Sequence, residues 1–125
     1  RGPWRQNHLY ASGRSRAGRF LTPVQAWESL HQYGLAADFV LALEGRWSWD
    51  DDEAHSAMWD RLEAVGADEG LVSKPGERPH LQLADVTLDE LRAGKLPPNT
   101  DPAWLTAFRW ITDSWDGKPA GPKLG

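Results

Sequence analysis

The sequence predicts an α+β domain, a small antiparallel sheet flanked by helices, and three observations predict it. Short apolar runs of strand length are mixed with segments whose apolar residues recur at helical spacing. The 12 Gly and 9 Pro point to a loop-rich domain rather than a helical bundle. The eight Trp can build a compact core within 125 residues, which is one domain's length.

Pro3 sits at the first position of a short helix running to about Ala11. Residues 12–36 hold four Gly-or-Pro breaks and no sustained period, and read as a long ordered loop; such loops are usually functional. Ala36 to Leu43 is a mostly apolar run that reads as one buried strand. Asp50, Asp51 and Asp52 offer N-caps for a second helix. Its apolar stripe is Ala54, Met58, Leu62 and Val65, and Gly66 ends it. Strands are expected at Leu71–Lys74 and, after the breaker Pro79, at His80–Leu83. Thr87 and Glu90 form a capping box for a third helix that Gly94 terminates. Thr100 or Asp101 caps a last helix with Pro102 at its start and Trp104, Phe108, Ile111 and Trp115 along one face. Residues 117–125 read as a flexible tail.

Charge and composition exclude several functions. Fourteen basic against eighteen acidic residues give a net charge of −4, and no Lys/Arg run reaches five, so no nucleic-acid partner is expected. The absence of Cys removes disulfides, Cys-ligated zinc and a thiol nucleophile together. No apolar stretch approaches the length of a membrane span. The chain starts at Arg1 with no Met and no visible signal peptide, so a trimmed or incomplete N-terminus is expected. A monomer is expected.

Three side chains have the chemistry of metal ligands: His31, Asp38 and His80. Catalytic zinc takes three N/O ligands and keeps a fourth position for water. Asp38 lies in an apolar run, where a lone carboxylate is expensive unless paired or metal-bound. Strand alternation sets positions 31 and 38 on opposite faces, and a turn at Gly34 would bring them to one point. Glu77, three residues before His80, is spaced to lean over the same point and move protons in metal-assisted hydrolysis. On spacing alone, hydrogen-bonding histidines, a paired carboxylate and a solvated loop charge account for these residues too. His8 and His55 read as surface residues, Asp50–Glu53 as a helix-cap cluster rather than a calcium loop. Trp47 and Trp49 would line a groove for a peptide or sugar, while core packing accounts for most of the Trp.

A resemblance separates these readings. Ser29-Leu30-His31-Gln32-Tyr33-Gly34-Leu35-Ala36-Ala37-Asp38 follows the pattern S-x-H-x-x-G-x-A-x-D, and Glu77-Arg78-Pro79-His80-Leu81-Gln82 follows D/E-x-P-H-x-Q. Gln6–Ser15 matches a Q-x-x-L-Y-x-x-G-R-[ST] run, with Thr22 following it ahead of the S-x-H segment. In these runs the chain resembles the zinc D-Ala-D-Ala carboxypeptidase and L-alanyl-D-glutamate endopeptidase family, which includes VanX/VanY-type and phage endolysin-type peptidases. The resemblance covers roughly residues 1–83. The Trp of the family's W-G-G stretch is missing at Gly70-Leu71-Val72-Ser73.

The resemblance implies a hedgehog/DD-peptidase-like fold and a bound zinc ion held by His31, Asp38 and His80. It implies Glu77 as catalytic acid/base, Arg1 as an oxyanion-binding cation, and Ser29 as a substrate-orienting residue beside the metal. Arg14 is a candidate contact for an acidic peptide stem. The implied domain plan is a peptidase core over 1–83, C-terminal helices over 84–116 packing on it, and the tail. The implied function is hydrolysis of peptidoglycan stem peptides, foremost at the L-alanyl–D-glutamate bond. The alternatives are D-Ala-D-Ala carboxypeptidase activity and a non-catalytic zinc-containing binding module. The implied location is secreted, periplasmic or cell-envelope, or phage-delivered.

Overall fold

The computed structural model describes residues 2–124. Its first helix, α1 (Pro3–Ala11), begins where expected, with Pro in the turn that has no N–H partner to lose. Its buried face carries Gln6, whose amide nitrogen donates to the Val24 carbonyl at 2.5 Å and to Thr22 Oγ1 at 3.3 Å. Asn7 accepts from Ala26 N–H at 2.9 Å. These bonds order the expected loop. That loop also holds a 3₁₀ turn, Leu30–Tyr33, which the periodicity did not predict because one turn is too short to show a period.

The described residues form two compact units. One takes in the chain up to Gly34 together with everything from Asp85 onward; the other is Leu35–Ala84.

In the first unit, α3 (Leu88–Arg92) starts at the expected capping box, with both Thr87–Glu90 bonds formed. Helix α4 (Pro102–Asp113) is capped by Asp101, which accepts from Trp104 N–H at 2.8 Å. Its expected apolar face is the one that packs. Phe108 is buried against Trp27, Tyr33 and Trp104, and Trp104 Nε1 donates to the Tyr33 carbonyl at 2.9 Å. The tail is tied down rather than loose. Asn7 Nδ2 donates to the Lys118 carbonyl and Trp115 Nε1 to that of Pro119. A Cβ on Gly94 would meet the Lys123 carbonyl at 1.9 Å, so Gly94 admits the tail as well as ending α3.

The second unit corrects several expectations. The apolar run 36–43 is not one buried strand. It splits into β1 (Ala36–Asp38) and β2 (Leu41–Leu43), which belong to different sheets, and two of the three β1 residues are exposed. A strand absent from the sequence reading, β3 (Arg46–Ser48), pairs with β2. The two-residue link Glu44-Gly45 has positive φ at both positions, the geometry that lets a tight hairpin follow the strand twist. Helix α2 (Ser56–Asp68) follows a 3₁₀ turn (Glu53–His55) capped by Asp52. Gly66 does not stop it. A Cβ there would sit 2.9 Å from Leu81 Cδ1, so the glycine lets helix and sheet approach. The packed face of α2 is that of Trp59 and Gly66, both buried; Met58 and Val65, on the expected stripe, are exposed.

Strands β4 (Leu71–Lys74) and β5 (Glu77–Leu83) complete a three-stranded antiparallel sheet in the order β1-β5-β4. Strand β5 begins three residues before the expected start, and Pro79 lies inside it. The β4 register jumps from Ser73↔Leu81 to Lys74↔Glu77, so Pro79 falls in an irregularity where β4 asks no N–H of it. Of the eight Trp, Trp4, Trp47, Trp49 and Trp110 are exposed, so core packing claims no more than half. No helix among the described residues is long and apolar enough to cross a membrane.

Candidate functional site

The centre of the second unit's sheet brings Asp38 and His80 together. They are direct cross-strand partners on β1 and β5, which puts both side chains on one face. Asp38 Oδ1 lies 3.3 Å from His80 Nδ1. The imidazole is buried at 6% side-chain exposure, whereas the carboxylate is half exposed. Asp38 is therefore not the buried carboxylate that its apolar neighbours suggest, because β1 is not buried. Its pairing with His80 is what the structure supplies instead. On the other side of the ring, Nε2 lies 3.0 Å from Gln82 Oε1.

Asp38 and His80 line a cleft of about 410 Å³ together with Glu77, Pro79, Gly76, Trp49 and Asp51. Glu77 and His80 are three apart, and in an unbroken strand an odd separation sends two side chains to opposite faces. The irregularity at 78–80 changes that phase. Arg78 turns to α2, where it meets Glu63 (3.2 Å), Ser56 (3.2 Å) and Asp60. Leu81, three residues on, also faces α2, at Gly66. Glu77 and His80 are left lining one cleft. The three-residue spacing and the proline thus act as one device. Asp60 and Glu63 hold the Arg78 guanidinium protonated, with its pKa pushed above the usual arginine value chiefly by the hydrogen bond to Asp60.

Trp49 lines this cleft, as one of the two Trp expected at a groove; Trp47 is exposed to 76%. Asp51 lines it too, although the sequence marked it only as one of several capping carboxylates. Its neighbours took those roles. Asp52 caps the 3₁₀ turn and binds the His55 ring at 2.5 Å, while Asp50 accepts from Ser48 Oγ at 2.7 Å. No signal within a run of three aspartates says which one is spare.

His31 and Ser29 lie in the first unit. Ser29 caps the 3₁₀ turn that carries His31, its hydroxyl accepting from His31 N–H at 3.3 Å while Gln32 Oε1 accepts from Ser29 N–H. Gly34 ends the turn at φ 70°, the left-handed conformation glycine allows. Arg14 is committed within that unit. Its guanidinium donates to the carbonyls of Tyr10 (2.6 Å) and Thr22 (3.1 Å) and lies over the rings of Tyr10 and Phe20. This is loop-holding work. Arg1 lies outside the described residues. His8 and His55 have local partners, Arg16 and Asp52.

Comparison with known proteins gives a partial match. Over 63 residues, 48% of this chain, the sequence is 36% identical to the peptidoglycan L-alanyl-D-glutamate endopeptidase CwlK of Bacillus subtilis. The match takes in 38% of that protein's length. No protein-family model matches the chain.

Proposed function

We propose that this chain is a zinc-dependent peptidase that hydrolyses peptidoglycan stem peptides at the L-alanyl–D-glutamate bond. The observation that carries the reading is the cleft where Asp38, Glu77 and His80 meet. The partial match to CwlK supports the substrate, and a substrate in the wall implies work at the cell envelope.

The donor set fits zinc. Two imidazoles and a carboxylate are the borderline N/O ligands that zinc takes in catalytic sites. With bonds of about 2.0–2.1 Å, two ligands of a tetrahedral zinc stand roughly 3.3–3.4 Å apart. The Asp38–His80 separation of 3.3 Å matches that edge. His31, Asp38 and His80 are the proposed ligands, as the two sequence motifs that carry them imply.

Bound zinc would supply Lewis acidity toward the amide carbonyl and would acidify water. The rest falls to the chain's own residues. Glu77 takes the proton of the attacking water and hands it to the leaving D-glutamyl nitrogen. Trp49 forms an apolar wall of the cleft against which a peptide can lie. Ser29 holds the His31 turn in place through its cap. The occupancy of the acid/base position by Glu77 favours catalysis over a zinc-containing binding module, which has no use for a carboxylate there.

The test joins metal content with digestion of purified peptidoglycan. One zinc per chain and fragments with new N-terminal D-glutamate are expected. Release of D-alanine alone moves the activity to carboxypeptidase; a full zinc equivalent with intact wall refutes the peptidase.

A further inference from the structure

We infer that Gln82 is a positioning residue that sets the tautomer of His80. His80 and Gln82 are two apart on β5, so both rise from the same face of the sheet, and their partners on β1 are Asp38 and Ala36. Gln82 Oε1 stands 3.0 Å from His80 Nε2. An amide oxygen can only accept, so the ring nitrogen facing it carries the hydrogen. In the neutral imidazole the hydrogen on Nε2 leaves a lone pair on Nδ1. That lone pair faces Asp38 Oδ1 at 3.3 Å, another acceptor. Two acceptors so placed repel unless a proton or a cation lies between them. Gln82 therefore turns the His80–Asp38 pair from a hydrogen-bonded couple into a cation-accepting one.

The consequence for metal rests on the zinc reading above; the tautomer does not. Without the Gln82 acceptor, the ring is free to place its hydrogen on Nδ1 and donate it to Asp38. A metal must then displace that hydrogen first. Partners of this kind, one bond removed from a metal, typically contribute about 10- to 100-fold in affinity.

Two measurements test this on the full chain. Long-range ¹⁵N–¹H spectra of histidine-labelled, metal-free protein at mildly alkaline pH report the tautomer directly. Wild type is expected to show His80 protonated at Nε2, and Gln82→Leu to show a shift toward Nδ1. Zinc affinity, measured by competition with a chromophoric chelator, is expected to fall about 10- to 100-fold in Gln82→Leu. Gln82→Glu, which keeps an acceptor facing Nε2, is expected to recover most of that loss. A merely structural role for Gln82 predicts no such rescue and no tautomer change. A folded Gln82→Leu protein with wild-type zinc affinity overturns the inference, and so does a wild-type ring protonated at Nδ1. If Gln82→Leu does not fold, the wild-type spectrum and the Gln82→Glu affinity still decide. A wild-type chain that binds no zinc but shows the Nε2 tautomer defeats the zinc reading and leaves the role of Gln82 standing.

Discussion

The two units bury different chemistry. The unit up to Gly34 and from Asp85 onward is built on rings. Trp27 meets Tyr33, Phe108 and Trp115 edge-to-face with centroids 5.5–6.1 Å apart, and Phe108 stacks on Trp104 at 4.9 Å. The Tyr33 hydroxyl buried there serves the backbone, donating to the Trp27 carbonyl at 3.1 Å. The unit Leu35–Ala84 buries Leu41, Trp59 and Leu81, and beside them an imidazole facing a carboxylate. It also holds the broken apolar run, the irregular strand and the half-exposed Asp38. Apart from the capped turn that carries His31, the first unit devotes its sequence to packing; the other departs from regular packing where the cleft residues converge. Local inconsistency of that kind is expected at functional sites.

The largest expected effect breaks the second unit's chemistry without touching its core. Glu77→Gln should lower turnover on peptidoglycan by about 10²- to 10⁴-fold, the usual contribution of a positioned acid/base, with zinc content unchanged. Near-normal turnover would remove Glu77 from the mechanism. A smaller effect tests which face of α2 supports the sheet. Trp59 is fully buried, and its Nε1 donates to the Asp50 carbonyl at 2.7 Å; Met58 beside it is 41% exposed. Denaturant unfolding of Trp59→Ala should show a loss of about 3–5 kcal/mol. Met58→Ala should stay within about 0.5 kcal/mol, as surface changes do. Equal costs would restore the stripe that the periodicity suggested.

That α2 stripe shows where sequence reading stops. Periodicity finds an amphipathic helix but cannot rank Met58 over Trp59 when both neighbours are apolar. Capping chemistry is local, so the starts of α3 and α4 were legible at Thr87 and Asp101. The spacing of Glu77 to His80 was legible as a motif, yet its geometry was not. Alternation alone would have parted the two residues, and Pro79 read as a breaker ahead of a strand rather than as the irregularity that joins them. The hairpin at Glu44-Gly45 escaped because Leu41–Leu43 merged with the preceding apolar residues into one apparent run. The role of Gln82 depends on which atom of its amide meets the ring, and no sequence pattern encodes that. The partners of Arg14 are loop carbonyls, and such contacts leave no periodic trace.

The smallest expected effect probes the ring-built unit through pH. Burial pushes the Tyr33 hydroxyl up from 10.0 to about 12, with Arg92 pulling weakly the other way. The folded chain therefore holds this proton more tightly than the unfolded chain. The associated stability is fully present below pH 10 and is lost as pH rises from about 10 through about 12. A rise of that size corresponds to about 3 kcal/mol at most. Tyr33 is only 2% exposed, so solvent screening takes little from that figure. Urea unfolding from pH 9 to 12 should show a falling midpoint in wild type and a flatter profile in Tyr33→Phe. The variant begins from a lower value, because it loses the bond to the Trp27 carbonyl. Other groups titrate in the same window, and the difference between the two profiles isolates Tyr33. Parallel profiles would mean that Tyr33 ionises as readily in the folded chain as in the unfolded one. The ring cluster would then be open to water, and the contrast between a packed unit and a chemical one would fail on the packed side.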